Sequence, residues 1–371
     1  MVDPILRKVE RKRTMKNKQI SLAVKYRPKT FDDVVEQEAI KDILIEQIET
    51  NSFKHAYLFC GPAGCGKTTA ARIFANELNK RKGNPIEVDA ASNNGVDNIR
   101  EIIDNAKRKA LDSEYKVYII DEVHMLSIGA WNAMLKLLEE PPAGTIFIMC
   151  TTDPQKIPAT ILSRVQRYDF TKISLDNIVN RLRYIIEQEA EELCNETGNE
   201  FLPGDPMPPE AEDGALEYIA KLAEGGMRDA ITMLDKCLSL SPTLTVETVV
   251  KALGTVNYTV YFELLYQLAS RNALKAVEVI ETVYNSGKDI KQFIKQFQFF
   301  VLDVCKYQMF ESFKYIAIPE LPEYKTKMED EDYDDCLKIL DWARQLNADI
   351  KWESNAKAMI ETAILVFCKE E

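Results

Sequence analysis

The sequence predicts an α/β fold, a parallel sheet with helices on both faces, followed by a second half that is helical throughout. Three observations predict it. From residue 31 to residue 170, short apolar runs alternate with helix-period segments, the pattern of a parallel sheet covered on both sides. A glycine-rich turn at 61–69 joins one apolar run to an Ala-rich helical stretch. After Thr171 the strand signals cease and helical periodicity carries the chain to its end.

The elements follow in order. Residues 39–50 have helical periodicity. Ala56–Cys60 reads Ala-Tyr-Leu-Phe-Cys, an unbroken apolar run typical of a strand buried on both faces. The turn comes next, then a helix over 69–78. Residues 86–88 make a short strand and 96–111 a helix. Lys-Val-Tyr-Ile-Ile at 116–120 is a second buried strand. A helix over 128–140 stops at Pro141-Pro142. Residues 145–150 form the next buried strand. Beyond Thr171, residues 178–194 and 215–239 read as helices, separated by a loop over 195–213 that carries Gly198, Pro203, Gly204, Pro206, Pro208 and Pro209. From Val246 onward the pattern is helical except over 318–335, which holds Pro319, Pro322 and the acidic run Glu329-Asp330-Glu331-Asp332.

Composition narrows the function. The 371 residues carry 47 Lys and Arg against 59 Asp and Glu, a net charge of −12, which speaks against a uniformly basic nucleic-acid binder but leaves room for a local patch. The first 30 residues hold ten Lys or Arg and two acids; a solvated arm is the plain reading of such a run. No apolar run approaches the ~20 residues of a membrane span, and the N-terminus lacks the apolar core of a signal peptide. The expectation is a cytoplasmic protein with no membrane partner. Eight scattered cysteines, no Cys-x-x-Cys pair and two histidines give no zinc pattern, so no zinc is expected.

Chemistry concentrates at the turn. Gly61-Pro62-Ala63-Gly64-Cys65-Gly66-Lys67-Thr68-Thr69 fits the phosphate-loop pattern G-x-x-x-x-G-K-[ST]. Glycines let the backbone approach a polyphosphate, and the N–H groups at a helix start face the anion. Lys67 would reach the β and γ phosphates, and the Thr68 hydroxyl would hold Mg²⁺. The strand before Asp121-Glu122 delivers two acids to the same sheet edge. Asp121 would hold Mg²⁺ through water, and Glu122 would orient the attacking water. Thr151-Thr152-Asp153 closes the next strand, where a hydroxyl can sense a γ phosphate. Arg164 and Arg228 suit the neutralising of transition-state charge; a surface ion pair is the plainer reading of each.

Six ordered segments then point to a family. Tyr26-Arg27-Pro28-Lys29-Thr30-Phe31-Asp32-Asp33-Val34-Val35, the phosphate loop, Asp121-Glu122-Val123-His124-Met125-Leu126-Ser127, Thr151-Thr152-Asp153-Pro154-Gln155-Lys156-Ile157-Pro158, Ile161-Leu162-Ser163-Arg164 and Met227-Arg228-Asp229-Ala230 resemble the gamma/tau family of bacterial DNA polymerase III, the AAA+ ATPases of the sliding-clamp loader. The resemblance runs from about residue 22 to about 256 and more faintly beyond. It implies an AAA+ core over 21–173 after a basic arm over 1–20, a helical lid over 174–242 and a helical collar over 243–371. It implies that Tyr26, Arg27, Pro28, Val34 and Val35 line an adenine pocket. Thr152 would be the first sensor, Arg228 the second, and Arg164 an arginine finger serving the ATP of a neighbouring subunit, as a head-to-tail ring requires. In the family five subunits form an open spiral around primed DNA, held by its backbone; Arg100 and Lys136 match its DNA-facing positions, with ordinary helix-surface charge as the alternative.

The resemblance therefore implies an ATP- and Mg²⁺-dependent loader subunit whose partners are other loader subunits, a sliding clamp and primer-template DNA. The alternatives are another AAA+ DNA machine, for branch migration or recombination, and a nucleotide-binding scaffold subunit. Several departures stand out. Residues 78–85 replace the four-cysteine zinc module of many relatives. Val165 stands where relatives have Cys, and Glu36 where they usually have Gly. Asn93-Asn94-Gly95 replaces a loop that is often basic, and 195–213 is an insertion. Together with an end at Glu371, these features suggest a short, gamma-length version, of host or mobile-element origin.

Overall fold

The computed structural model describes residues 20–108, 113–197, 207–253, 258–287, 289–351, 353 and 355–369. The basic arm, apart from Ile20, and residues 198–206 of the expected insertion lie outside the described residues.

Burial on both faces explains why three of the strands were visible as continuous apolar runs. In chain order the first elements are α1 (Leu22–Lys25), α2 (Glu38–Glu49), β1 (Ala56–Cys60), α3 (Lys67–Leu78), β2 (Ile86–Asp89), α4 (Val96–Ala106), β3 (Lys116–Asp121), α5 (Ile128–Glu139), β4 (Thr145–Thr151), α6 (Ala159–Leu162), β5 (Gln166–Asp169) and α7 (Leu175–Thr197). The strands lie in the order β2-β3-β4-β1-β5, and every pairing is parallel. Side chains alternate across the sheet. Leu58, Tyr118, Ile120, Phe147 and Met149 pack with Ile99 of α4 and with Trp131, Met134 and Leu138 of α5. Tyr57, Phe59, Ile119, Ile148 and Cys150 pack with Leu44 of α2 and with Ile73 and Phe74 of α3. Each such buried side chain contributes roughly 1.5–3 kcal/mol.

The remaining elements are β6 (Glu210–Ala211), α8 (Asp213–Leu222), α9 (Met227–Leu240), β7 (Thr243–Leu244), α10 (Val246–Leu253), α11 (Tyr258–Ala269), α12 (Ala273–Asn285), α13 (Ile290–Phe310), α14 (Pro322–Glu329), α15 (Tyr333–Ile350) and α16 (Ala356–Lys369). The chain divides into two compact units, Met1–Pro209 with Ile219–Ser239, and Glu210–Tyr218 with Leu240–Glu371. The first holds the five-stranded sheet. In the second, α13 packs on α15, α11 on α12, and α12 on α16. Its core is aromatic: Phe262 and Phe300 meet edge to face at 4.8 Å, and Tyr261 lies 4.9 Å from Phe293. No described helix is long and apolar enough to cross a membrane.

The structure corrects five local expectations. The helix after the turn begins at Lys67 rather than Thr69, so the lysine and Thr68 are its first residues. The helix expected over 96–111 ends at Ala106, and residues 109–112 are not described. The helix read over 215–239 is two helices, because Glu224 and Gly225 both take positive φ (48° and 92°) and end the first. Strand pairing does not cease at Thr171: β6 and β7 form a two-residue parallel pair. The interruption at 318–335 contains α14, which starts on Pro322, where a missing N–H costs nothing.

Candidate active site

The turn between β1 and α3 owes its shape to close backbone approaches. Gly61 has φ +149°, and a Cβ there would lie 2.5 Å from the Phe170 carbonyl oxygen. Gly64 has φ +72°, and its Cβ would lie 2.9 Å from Gly226 Cα. Only glycine meets both demands. The Gly64 carbonyl accepts the Met227 N–H at 3.0 Å, which fastens the start of α9 to the turn. Lys67 opens α3 and is 6% exposed. Its ammonium donates to the carbonyls of Gly61 (2.9 Å) and Pro62 (2.7 Å). A buried cation thus sits within the ring of the turn, at the end of a 12-residue helix whose first N–H groups lack intrahelical partners.

The two acids follow from β3. Asp121 is its last residue, and Oδ2 accepts the Thr68 hydroxyl at 2.8 Å. Its Oδ1 accepts the Glu122 N–H at 3.0 Å. Glu122 then turns into the left-handed region (φ 49°, ψ 44°), a conformation that costs a non-glycine residue about 1 kcal/mol or more. Its Oε2 accepts the Thr152 hydroxyl at 3.0 Å and lies 3.2 Å from His124 Nδ1. The same ring nitrogen lies 3.1 Å from Thr151 Oγ1. Burial pushes the Cys65 thiol up, and Cys150, fully buried beside Asp121, stands well above the usual range. These thiols are held neutral, so neither is a thiolate nucleophile.

A cavity of about 420 Å³ gathers most of the expected residues. Tyr26, Arg27, Pro28, Val34 and Val35 line it, with residues 63–69, Asp121, Glu122 and Arg228. Tyr26 is anchored from behind: its hydroxyl donates to Glu189 at 2.8 Å, and its carbonyl accepts Arg181 Nη2 at 2.9 Å. Desolvation and the Glu189 carboxylate raise the Tyr26 phenol above its ordinary value, which keeps it neutral. Sequence reasoning gave no site role to Arg72, Arg181, Met227, Asp229, Ile173 and Ile231, which also line the cavity. Arg181 sits on α7, 155 residues from its partner, so no local pattern could have disclosed it.

Other expected residues lie elsewhere. Gly61 and Pro62 contribute carbonyls to Lys67, and Thr152 reaches Glu122, without lining the cavity. Arg164 lies just beyond the end of α6 and outside the cavity lining; it donates to Glu139 and to the Thr160 carbonyl, each at 2.6 Å. Arg100 is exposed on α4 and pairs with Asp97 at 2.9 Å. Lys136 is exposed on α5, the helix that packs against α4. Glu36 does not line the cavity either. It sits at φ 58° and accepts Ser174 N–H (2.9 Å) and Asn177 Nδ2 (2.7 Å). Desolvation pushes its carboxyl up, but these bonds outweigh it and hold the pKa below the usual range. A left-handed position is one that glycine fills without strain, and here the glutamate's bonds to Ser174 and Asn177 accompany that backbone.

The family described as DNA polymerase III, delta subunit, matches residues 80–174. The Bacillus subtilis DNA polymerase III subunit tau is 38% identical over 368 residues, covering 93% of this chain and 62% of that protein. The Haemophilus influenzae subunit tau/gamma is 36% identical, covering 72% and 40%. The Escherichia coli subunit tau is 34% identical, covering 72% and 42%. The chain thus spans less than two thirds of the length of each. Among solved structures, the Thermotoga maritima RuvB Holliday junction branch migration motor aligns with a TM-score of 0.48 and 21% identity, over 66% of this chain and 79% of that one; no argument rests on that likeness. The chain is thus 34–38% identical, over 72–93% of its residues, to tau and tau/gamma subunits of bacterial DNA polymerase III.

Proposed function

We propose that the chain is an ATP-hydrolysing motor subunit of a sliding-clamp loader, which opens a processivity clamp and places it on primed DNA. The observation that carries the reading is the convergence of Lys67, Thr68, Asp121, Glu122 and Arg228 on one cavity walled by the segment 26–35. A site for a nucleoside triphosphate needs a cradle of N–H groups, a cation, a metal-binding oxygen pair and a base, and the cavity offers each. The likeness to DNA polymerase III tau and tau/gamma subunits supports the same reading.

In this reading Tyr26, Arg27, Pro28, Val34 and Val35 hold the base of the nucleotide. Residues 61–69 wrap the phosphates, and Lys67 exchanges its loop carbonyls for phosphate oxygens. Thr68 and Asp121, already 2.8 Å apart, form a hard oxygen pair suited to Mg²⁺, which takes one or two protein oxygens and completes its shell with phosphate and water. When bound there, Mg²⁺ would supply charge neutralisation on the β and γ phosphates. Glu122 takes a proton from water as the water oxygen bonds to the γ phosphorus. The bond to the bridging oxygen breaks and leaves ADP and phosphate. Thr152 holds Glu122, and Arg228 neutralises charge from α9. Arg164, outside the cavity, serves the site of a neighbouring subunit. Arg100 and Lys136, on adjacent helices, face the DNA backbone.

The deciding experiment is an ATPase assay of the chain with its loader partners, with and without primed DNA and a sliding clamp. Stimulation by both together is expected. Hydrolysis indifferent to both would remove the loader reading while leaving the nucleotide site intact.

A further inference from the structure

We infer that His124 is a positioning residue for hydrolysis, pinning the Glu122 carboxylate to the end of β4; this rests on the ATPase reading above. Glu122 follows the strand and is the residue least constrained by the sheet. Its backbone is left-handed, and the three-residue 3₁₀ turn Val123–Met125 begins immediately after it. Nothing in that local geometry fixes the carboxylate. Two groups from outside approach it. Thr152 Oγ1 donates to Oε2 at 3.0 Å, and His124 Nδ1 lies 3.2 Å from the same oxygen.

The inference specifies the tautomer. A carboxylate accepts only, so the inference requires the His124 proton on Nδ1, facing Oε2. Thr151 Oγ1, 3.1 Å from Nδ1, already accepts the Asp153 N–H at 3.0 Å. The ring is therefore wedged between the carboxylate and the last residue of β4, whose side chain is fully buried. The imidazole is itself largely buried, at 11% exposure, and its turn is held by Met125 N–H to the Glu122 carbonyl at 2.9 Å. With its proton on Nδ1, His124 would join Thr152 on Oε2 and leave Oε1 for the attacking water. Residues 151 and 152 thus hold the base from two directions, one through its own hydroxyl and one through His124. A displacement at the end of β4 moves the base with it.

The test compares two amides at position 124. Asn places its amide near the Nδ1 position, and Gln places its amide near Nε2. The 371-residue wild type, His124→Asn, His124→Gln and His124→Leu are measured for steady-state ATP hydrolysis, for binding of a fluorescent ATP analogue and for melting temperature. His124→Gln and His124→Leu should lose kcat roughly 10- to 100-fold, the scale of a misplaced reacting group, with KM and analogue affinity within about twofold. His124→Asn should recover to within about threefold of wild type. Equal kcat for Asn and Gln, or a loss confined to KM, would overturn the inference, and so would an active His124→Leu. If Leu lowers the melting temperature, the Asn–Gln contrast still decides. A wild-type chain that binds the analogue but never turns ATP over, even with DNA and clamp, overturns the functional reading and this inference with it.

Discussion

The carbonyl of Gly64, in the turn after β1, accepts the backbone N–H of Met227, the first residue of α9, at 3.0 Å. The turn that would cradle phosphate and the helix that carries Arg228 are thus one mechanical piece. The fit is tight because both strands of the contact are backbone: Gly64 faces Gly226, and neither has a side chain to move aside.

A methyl group separates the roles of two glycines in that turn. Gly64→Ala puts a Cβ 2.9 Å from Gly226 Cα at φ +72°, so backbone must shift; Gly66→Ala, at φ +100°, meets nothing within 4 Å. Both pay conformational strain of about 1–3 kcal/mol, but only Gly64→Ala also disturbs α9. Thermal unfolding should show the larger loss for Gly64→Ala. Equal melting temperatures would mean that the contact with Gly226 is slack.

Lys67 predicts a different signature. Its ammonium is buried and held by two carbonyls, so Lys67→Ala leaves those acceptors without their charged donor and takes a cation from the cavity. Nucleotide affinity should fall by two orders of magnitude or more, given ~1.5–3 kcal/mol for each charged hydrogen bond. Titration with a fluorescent ATP analogue reads this directly; unchanged affinity would remove Lys67 from the site.

Glu122→Gln should separate binding from chemistry. Gln keeps the shape and can still meet Thr152, but it cannot take a proton. Analogue affinity should stay within about twofold while turnover drops ~10²-fold or more. Turnover near wild type would mean that another group activates the water.

How far the sequence disclosed this arrangement depends on where each signal resides. β1, β3 and β4 were visible because burial on two faces demands unbroken apolar runs. β5 was not: it lies at the sheet edge, and Gln-Arg-Tyr-Asp buries only Tyr168. The pairing of Thr68 with Asp121 was foreseeable, since parallel strands deliver their C-terminal ends to one edge. Arg181 and His124 were not singled out, because their partners come from other elements: Tyr26 stands 155 residues from Arg181, and Thr151 stands 27 from His124. The break at Glu224–Gly226 was hidden by helical periodicity on both sides, although the Gly-Gly pair was in plain view.

The second unit carries a pH dependence of its own. Burial, with Asp330 and Asp335 nearby, raises the Glu331 carboxyl from 4.5 to about 7. Between those values the folded chain holds a proton that the unfolded chain has released. Stability supplied by that proton is complete below pH 4.5 and is lost as pH rises through 7. Glu331→Gln keeps the shape, cannot ionise, and leaves intact the backbone carbonyl that accepts Gln308 Nε2 at 2.7 Å. The variant should therefore match wild type near pH 4.5 and exceed it in stability at pH 8. Urea unfolding of both proteins at the two pH values measures the difference; a gap that does not widen with pH would show that Glu331 is already ionised in the folded chain.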